Sequence, residues 1–497
     1  MAGKKADHSA GKRSWLYIIA TIVVALAFLV GVYYSGIGVV NKWVLGIASM
    51  FLFGIAIQRL GNFSGAYGLY MLGSRRGIKT VDSISRKGGR FWDNMALLGL
   101  VLGFGIFSYF LLKDKKPVFV FGLAVLILIL VFVLPFLSYG VQFLNLPQLT
   151  SSISASSSSA QSSSTGVIVY VMYAVAVLTG FCGYTFFLIW YNAGLISFAS
   201  YNVILSAISG HVQTSALANQ VPGVAPIIPG IDIPLFAGII SLVILLIIHE
   251  FSHGILARRA KVKLKSIGFL LFGIIPIGAF VDPDEKEVEK LNGRTQSKIF
   301  SAGISANFIA MLAFFAVMVP MIFYVVPNLY HTGVFVSGTS PGYPANGILK
   351  QGMQILSWNG YLIKNLSSFS VAAAHDYPGS IVRVTTDTGS YAFTAIRQLN
   401  STNSTRGLIG VEVYQKSTPI NSSLSTRSLL LIYSIVALSF MLNFLVAVVN
   451  LLPIPGFDGW RIFKTNVKHD AAIKALAYLL LIGLLLNALP WIPILLG

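Results

Sequence analysis

Long apolar stretches separated by short polar segments dominate the hydrophobic pattern of this chain. Each stretch is close to the length of about 20 residues that an α-helix needs to cross the hydrocarbon core of a bilayer. Nine such runs lie near residues 15–36, 43–59, 92–112, 118–138, 167–190, 234–257, 299–326, 428–452 and 473–494. Residues 184–208 are also apolar and leave open a tenth span or a re-entrant segment. The pattern predicts a polytopic α-helical membrane protein with about nine spans.

Two segments depart from this pattern. Residues 151–166 are mostly serine, a low-complexity composition that predicts a flexible linker. Residues 330–415 form a polar island with alternating stretches such as GSIVRVTTDTGSYAFTAI, which are typical of strands. We expect one small β-rich domain there. The other parts are predicted as an N-terminal membrane region at 1–150, further membrane segments at 167–233, and a two-part membrane core at 234–329 and 416–497.

Composition supports a membrane protein, because 55% of the residues are hydrophobic and only 10% are charged. The net charge of +19, from 35 Lys and Arg against 16 Asp and Glu, indicates cytoplasmic loops that face anionic lipid. We therefore expect the bilayer as a partner and no nucleic acid. The single cysteine, Cys182, excludes an intrachain disulfide and a multi-cysteine metal site. The first run lacks a small-residue cleavage pattern and is expected to be a membrane anchor.

The distribution of Lys and Arg predicts the orientation. Basic residues cluster at the N-terminus, after the second apolar run and directly after the run that ends near residue 257, so these three places are expected in the cytoplasm. The turn KDKK at 113–116 breaks this rule. Because the run at 299–326 then returns outward, the island at 330–415 is predicted to be extracytoplasmic. Four N-x-[S/T] sequons in or near the island agree, at Asn365, Asn400, Asn403 and Asn421.

The run at 234–257 ends in the motif HEFSH at residues 249–253. His249 and His253 are four residues apart and so share one face of a helix, about 6 Å apart along its axis. Both imidazoles can bind one Zn²⁺ there, while Glu250 holds and deprotonates a water molecule. The motif arises by chance in about one of a thousand chains of this composition. The alternative is a hydrogen-bonded histidine pair inside a helical bundle, for example in a proton pathway.

A catalytic zinc needs three protein ligands and one open position. The remaining histidines and most acidic residues fall in loops, in the acidic cluster VDPDEKEVEK or in the polar island. Asp458 remains, in NLLPIPGFDGW, after a run that crosses the membrane in the same direction as the motif helix. The prolines and glycines around it break the helix and turn the carboxylate inward. Asp458 is therefore the predicted third ligand, and a solvated aspartate at a helix end is the alternative.

These residues resemble the site-2 protease family of intramembrane metalloproteases. HEFSH and the stretch from Asn450 to Gly459 are similar to the two motifs of that family, with Phe457 where the family usually has Leu. The stretch AGISANF, residues 302–308, resembles the small-residue segment of the intervening span and places Asn307 at its polar position. Ile304 stands where the family often has Pro.

The resemblance covers roughly residues 234–497 and says little about residues 1–233, which look like a lineage-specific addition. Residues 338–360 resemble the opening of a PDZ domain, and the family often carries a PDZ insertion at this place. A PDZ-like domain there is expected to bind a peptide or a substrate terminus. The linker and the sequons fit an archaeal cell membrane.

The resemblance implies a role for each site residue. His249, His253 and Asp458 would bind zinc, and Glu250 would be the general base and then the general acid. Asn450 and Asn307 would contact the substrate backbone or the developing oxyanion. The implied function is regulated intramembrane proteolysis. The enzyme would hydrolyse transmembrane segments of other proteins after a first protease has trimmed them, with its active site toward the cytoplasm.

The segment SIGFLLFGIIPIGAFVDPDE after the motif is too interrupted by glycine and proline for a spanning helix. We interpret it as a re-entrant hairpin or strand. An edge of it is expected to pair with the unwound substrate, and a packed loop below the site is the alternative.

Other functions fit the residues less well. Membrane zincins that process prenylated proteins need a Glu ligand on a later helix, and no Glu lies in a predicted span after Glu250. A multi-span transporter or a metal-handling membrane protein is the alternative from another class. It would line several spans with polar residues, and the spans after residue 299 offer few. An inactive scaffold would not need Glu250.

Overall fold

The computed structural model describes residues 12–136, 163–209, 223, 227, 229–230, 233–325, 330–397, 406–419 and 424–490. Within these residues nine helices are long and apolar enough to cross a membrane. They are Ser14–Tyr34, Val44–Gly61, Gly89–Leu112, Lys116–Phe136, Tyr170–Ser206, Leu235–Arg259, Gly293–Val325, Thr426–Asn450 and Asp470–Ala488. The prediction of a multi-pass helical membrane protein is confirmed.

The chain divides into two compact units. Unit 1 combines Met1–Ala316 with Ser434–Gly497, and unit 2 is Val317–Tyr433. Unit 1 therefore contains residues 234–316 and 434–497, the greater part of both segments of the predicted membrane core, although they are separated in sequence.

Most of the helices consist of Leu, Ile, Val, Phe and Ala, and their backbone polar groups bond within the helix, as a hydrocarbon environment requires. They are α1 (Lys12–Tyr34), α2 (Val39–Gly61), α3 (Arg75–Ser85), α4 (Gly89–Phe104), α5 (Tyr109–Leu112), α6 (Lys116–Leu128), α7 (Ser163–Ile208), α8 (Leu235–Arg259), α9 (Glu285–Glu289), α10 (Gly293–Pro320), α11 (Leu366–Ala373), α12 (Leu424–Asn450), α13 (Asp458–Asn466) and α14 (Asp470–Ala488).

The apolar residues 184–208 belong to α7, in which two helices are joined at a kink between Ser163 and Ile208. Its backbone is non-helical at Gly180, with φ 66° and ψ −166°. A Cβ atom at Gly180 would lie 2.2 Å from the carbonyl carbon of Gly103, so the contact of α7 with α4 requires a glycine. Of the predicted serine-rich linker, residues 151–162 lie outside the described residues.

An antiparallel sheet of four strands lies in unit 1. In sheet order its strands are β1 (Gly65–Ala66), β2 (Leu69–Gly73), β3 (Leu264–Phe272) and β4 (Ile275–Pro283). β3 and β4 form the hairpin expected from the glycine- and proline-rich segment after the motif. β2 comes from the N-terminal region and pairs with β3 from Leu69 opposite Phe272 to Gly73 opposite Gly268. The hydrophobic pattern does not predict this long-range strand pair.

Unit 2 is a small β-rich body, as the polar island predicts. Its strands are β5 (Tyr330–Thr339), β6 (Gln354–Trp358), β7 (Tyr361–Leu362), β8 (Ile381–Thr386), β9 (Ser390–Thr394), β10 (Ile396–Arg397), β11 (Gly407–Leu408) and β12 (Val411–Pro419). The main sheet has the strand order β12-β5-β6-β8-β9, with β7 beside β6, and a separate pair joins β10 and β11.

Alternate residues of these strands point into one apolar core, which contains Val334, Val336, Val382 and Val384. Asn365 caps α11 by accepting a hydrogen bond from Ser368 N–H. The other sequons near the island, at Asn400, Asn403 and Asn421, lie outside the described residues. The PDZ-like identity and the extracytoplasmic location of unit 2 stay predictions.

Candidate metal centre

The HEFSH motif lies near the C-terminal end of α8. His249 is buried and His253 is half-buried, and their ring centroids are 4.9 Å apart, one helical turn from each other. Arg258 and Arg259 occupy the last turn, where positive charge is favourable at the carbonyl end of a helix. The helix thus carries both imidazoles on one face, as the spacing predicts.

Asp458 reaches the same place through a tight turn. α12 ends at Asn450, and the following turn contains two prolines and Gly456, whose φ is 101°. A Cβ atom on Gly459 would lie 2.2 Å from the carbonyl oxygen of Leu451, so the turn folds closely onto itself. This geometry directs the first residue of α13, Asp458, to α8.

Three ligand atoms converge at this point. Asp458 Oδ2 lies 3.2 Å from His249 Nε2 and 3.1 Å from His253 Nε2, and the two Nε2 atoms are 3.2 Å apart. Ligand atoms about 2.0–2.1 Å from a tetrahedral zinc ion are about 3.3 Å from one another, so the triangle has the size that zinc requires. Within the described chain, no other group of three His, Cys, Asp or Glu side chains has such an arrangement.

Hydrogen bonds at Nδ1 fix the orientation of both imidazoles. His253 Nδ1 lies 2.7 Å from the carbonyl oxygen of Ile299, so this nitrogen carries the proton and Nε2 presents its lone pair. His249 Nδ1 lies 3.1 Å from Asn307 Nδ2, and the buried Asn307 Oδ1 has no partner. Exchanging the amide oxygen and nitrogen lets Oδ1 accept the Nδ1 proton and satisfies both groups.

With this assignment, three electron-pair donors face each other without a proton between them. Asp458 Oδ2 is itself buried and makes no hydrogen bond. Such a set is unfavourable unless a cation lies among the three atoms. The donor set of two neutral imidazoles and one carboxylate suits zinc.

Glu250 lies beside the triangle and contacts the hairpin. Its Oε2 accepts a hydrogen bond of 3.0 Å from Val281 N–H on β4. This N–H points away from β3, because it is available to a side chain of α8. The contact brings the predicted general base next to the outer edge of β4, which faces away from β3.

Ion pairs with the N-terminal region hold the end of α8. Arg258 pairs with Asp82 on α3, and Arg259 Nη2 lies 2.8 Å from Asp93 Oδ2 on α4. Lys298 of α10 also approaches Asp93, at 3.8 Å. The sequence offered no signal for these pairs, because the partners are separated by more than 150 residues and are charged side chains of ordinary helices.

The predicted site residues thus occupy three kinds of position. His249, His253 and Asp458 form the triangle, Glu250 lies beside it, and Asn307 contacts the ring of His249. Asn450 is the last residue of α12, and among the described residues no hydrogen bond joins it to the others. The substrate or oxyanion role of Asn450 and Asn307 stays a prediction.

A family model described as Peptidase family M50 matches residues 237–490, just over half of the chain. The chain belongs to peptidase family M50. This is the site-2 protease family, so the predicted resemblance is confirmed. Membership in M50 identifies a metallopeptidase and, with the nine apolar helices, a multi-pass membrane protein. It does not favour the transporter or metal-handling alternative.

A relative of this M50 peptidase occurs in the archaeon Methanocaldococcus jannaschii, where it is described as an uncharacterized protein. The two are 28% identical over 242 residues, which is 48% of this chain and 60% of the relative. The match therefore covers less than two thirds of the relative's length. It is consistent with the archaeal origin expected from the sequence.

Proposed function

We propose that this M50 peptidase is a zinc-dependent intramembrane protease that hydrolyses peptide bonds in transmembrane segments of other proteins. The observation that carries the proposal is the triangle of His249, His253 and Asp458 with Glu250 beside it, built on α8 and on the turn that follows α12. Both helices are apolar enough to cross a membrane. Charged and metal-ligating side chains are costly at such places and are retained there for a function.

Each site residue has its own role in the proposed reaction. His249, His253 and Asp458 would hold a zinc ion, which would supply Lewis-acid polarisation of the scissile carbonyl and of the attacking water. Glu250 accepts the proton of that water and donates it to the leaving amine. Val281 N–H binds one oxygen of Glu250 and leaves the other for this proton transfer. Asn450 and Asn307 are the candidates for contact with substrate or oxyanion.

The substrate must be extended before it is cut, because every backbone carbonyl of a helix is engaged in a hydrogen bond. β4 is nine residues long and is one of the two outer strands of the sheet in unit 1. We propose that the unwound segment pairs with this edge by β-augmentation, beside Glu250.

We further propose that unit 2 is a PDZ-like domain on the extracytoplasmic side, while the metal centre faces the cytoplasm. The arrangement of basic loops in the sequence supports this orientation. A strand-edge groove on unit 2 would capture a peptide or the terminus created by a first protease, which is the step that regulated intramembrane proteolysis requires.

The replacement of Glu250 by Gln tests the enzymatic proposal. We expect Glu250→Gln to retain bound zinc but to lower cleavage by at least about 100-fold, because the amide cannot accept the proton. Glu285→Gln, at an exposed glutamate of α9, is the matched control and should cleave normally. Asp458→Ala should lose zinc.

The measurement compares the membrane proteomes of cells that express the wild type and each variant, together with metal analysis of the purified proteins. Transmembrane cleavage products should be present with wild type and Glu285→Gln and absent with Glu250→Gln. Undiminished cleavage by Glu250→Gln would refute the proposed function.

A further inference from the structure

The N-terminal region supplies a strand to the catalytic half of the molecule. β2 lies outside the residues that match family M50. It nevertheless pairs with residues 268–272 of β3, the part of this strand next to the tip of the hairpin. Ser74 N–H extends this ladder by donating to the carbonyl oxygen of Ile267 at 2.7 Å. One edge of the β3–β4 hairpin is therefore occupied by the chain itself.

The tip of the hairpin is bound through both backbone groups of one residue. Gly273, with φ 59°, lies in the turn between β3 and β4. Tyr70 Oη donates to the carbonyl oxygen of Gly273 at 2.8 Å, and Gly273 N–H donates to the carbonyl oxygen of Gly68 at 3.1 Å. Both partners belong to the β1–β2 segment.

The surroundings of Tyr70 make this anchor rigid. Tyr70 is 3% exposed and lies in a cluster with Ile18 of α1 and Ile57 of α2. Its ring stacks on Phe63 with the centroids 5.5 Å apart. Burial raises the pKa of the Tyr70 hydroxyl to about 12, so the hydroxyl stays a proton donor at neutral pH.

The backbones at this anchor also approach each other closely. A Cβ atom at Gly54 of α2 would lie 2.5 Å from Gly68 O, and one at Gly273 would lie 2.8 Å from Met50 O. α2, the β1–β2 turn and the hairpin tip therefore meet backbone to backbone, with no room for a side chain.

The other end of β4 is the end that contacts the site. From Ile275, next to the tip, to Val281, which donates to Glu250, β4 covers roughly 20 Å at about 3.3 Å per residue. A change in the angle of the hairpin at Gly273 is thus carried along β4 to the proposed catalytic base.

We infer that the N-terminal strand β2 supports the protease site and that Tyr70 on this strand is a positioning residue. It fixes the hairpin tip so that the free edge of β4 is held in register beside Glu250. The effect on activity rests on the proposed function, whereas the effect on hydrogen exchange of β4 rests on the structure alone.

Tyr70→Phe removes only the hydroxyl that binds Gly273. We expect kcat/KM for a transmembrane substrate to fall roughly fivefold, which is the loss of about one hydrogen bond. Hydrogen exchange should become faster at residues 275–283 and stay unchanged at residues 249–253, with zinc content at the wild-type level. A merely structural role would instead loosen α8 together with the hairpin. Tyr67→Phe, in the same β1–β2 segment but 76% exposed, is the matched control and should change nothing.

A covalent tether provides the rescue. Met71 and Leu270 lie opposite each other in the antiparallel register, within the range that a disulfide can bridge. The tether is introduced into Tyr70→Phe as Met71→Cys/Leu270→Cys, with Cys182→Ala to remove the native thiol. The oxidised disulfide should restore the activity of Tyr70→Phe and slow its hydrogen exchange at residues 275–283, and reduction of the disulfide should abolish both effects. Wild-type activity and exchange in Tyr70→Phe, or a tether without effect on that variant, would overturn the inference.

Failure of the proposed function gives a different result. If wild type and Tyr67→Phe cleave no transmembrane substrate, the protease proposal fails, while faster exchange at residues 275–283 in Tyr70→Phe still supports the anchor. If both cleave and Tyr70→Phe matches them in activity and exchange, the anchor is wrong and the protease stands.

Discussion

At the scale of single residues, the candidate metal centre depends on a glycine as much as on its ligands. Gly303 of α10 faces both imidazoles, and a Cβ atom there would lie 2.4 Å from His253 Nε2 and 2.6 Å from His249 Nε2. Real Cβ atoms do not approach other atoms this closely, so any larger residue displaces the atoms that would bind zinc.

We therefore expect Gly303→Ala to weaken zinc binding by about 10- to 100-fold, the range known for changes that disturb the orientation of metal ligands. Gly293→Ala in the same helix is the control, since its added Cβ would only reach ordinary contact, 3.4 Å from Thr465 Cγ2. Zinc content after dialysis against buffers of defined free zinc measures the effect. Equal affinity in both variants would show that the centre does not need this close approach.

The sequence was sufficient to name the residues of the triangle, because motif spacing on one helix and the direction of each span are local information. His249, Glu250 and His253 follow from one motif, and Asp458 from elimination. Gly303 and Val281 could not be found in this way. Gly303 matters because of a side chain from another helix, and Val281 contributes only its backbone N–H, which every residue but proline has.

At the scale of the elements, the role of β4 in catalysis is tested best through its backbone rather than through its side chains. Val281→Pro removes the N–H that binds Glu250 and blocks pairing at the free edge. We expect turnover to fall more than about tenfold with zinc content unchanged. Val281→Ala keeps the N–H and is the control, with a much smaller loss expected. Cleavage of a reconstituted transmembrane substrate measures both, and normal turnover of Val281→Pro would exclude a role for this edge.

The sequence predicts those elements whose hydrophobic pattern is long and continuous. Nine spans and the hairpin follow from hydropathy, glycine and proline. β2 was missed, because the five residues LYMLG have no clear alternation and their partner strand is about 200 residues away. The same limit applies to α7, where the backbone at one glycine, Gly180, divides an otherwise continuous helix into two, and hydropathy does not show this break.

At the scale of the whole molecule, the division into two units predicts separable stability. Asp376 lies in unit 2 and is 6% exposed, and its carboxylate accepts hydrogen bonds of 2.8 Å from Trp358 Nε1 and Asn359 Nδ2. Burial raises the pKa of Asp376 above its ordinary value, although both hydrogen bonds act in the opposite direction. All residues of the triangle lie in unit 1.

A raised pKa in the folded state means that unit 2 binds a proton at pH values where the unfolded chain has lost it. Its stability therefore falls as pH rises from the ordinary Asp value of about 3.9 through the raised pKa. Asp376→Asn should remove this loss of stability. Asp376→Ala should destabilise unit 2 by about 1–3 kcal/mol at both low and high pH, because Trp358 N–H loses its acceptor. Hydrogen exchange of β6 and β8 at about pH 4 and pH 6, corrected for intrinsic rates, measures both effects. Zinc content should stay at the wild-type level in both variants, and loss of zinc in Asp376→Ala would show that the metal centre depends on the folding of unit 2.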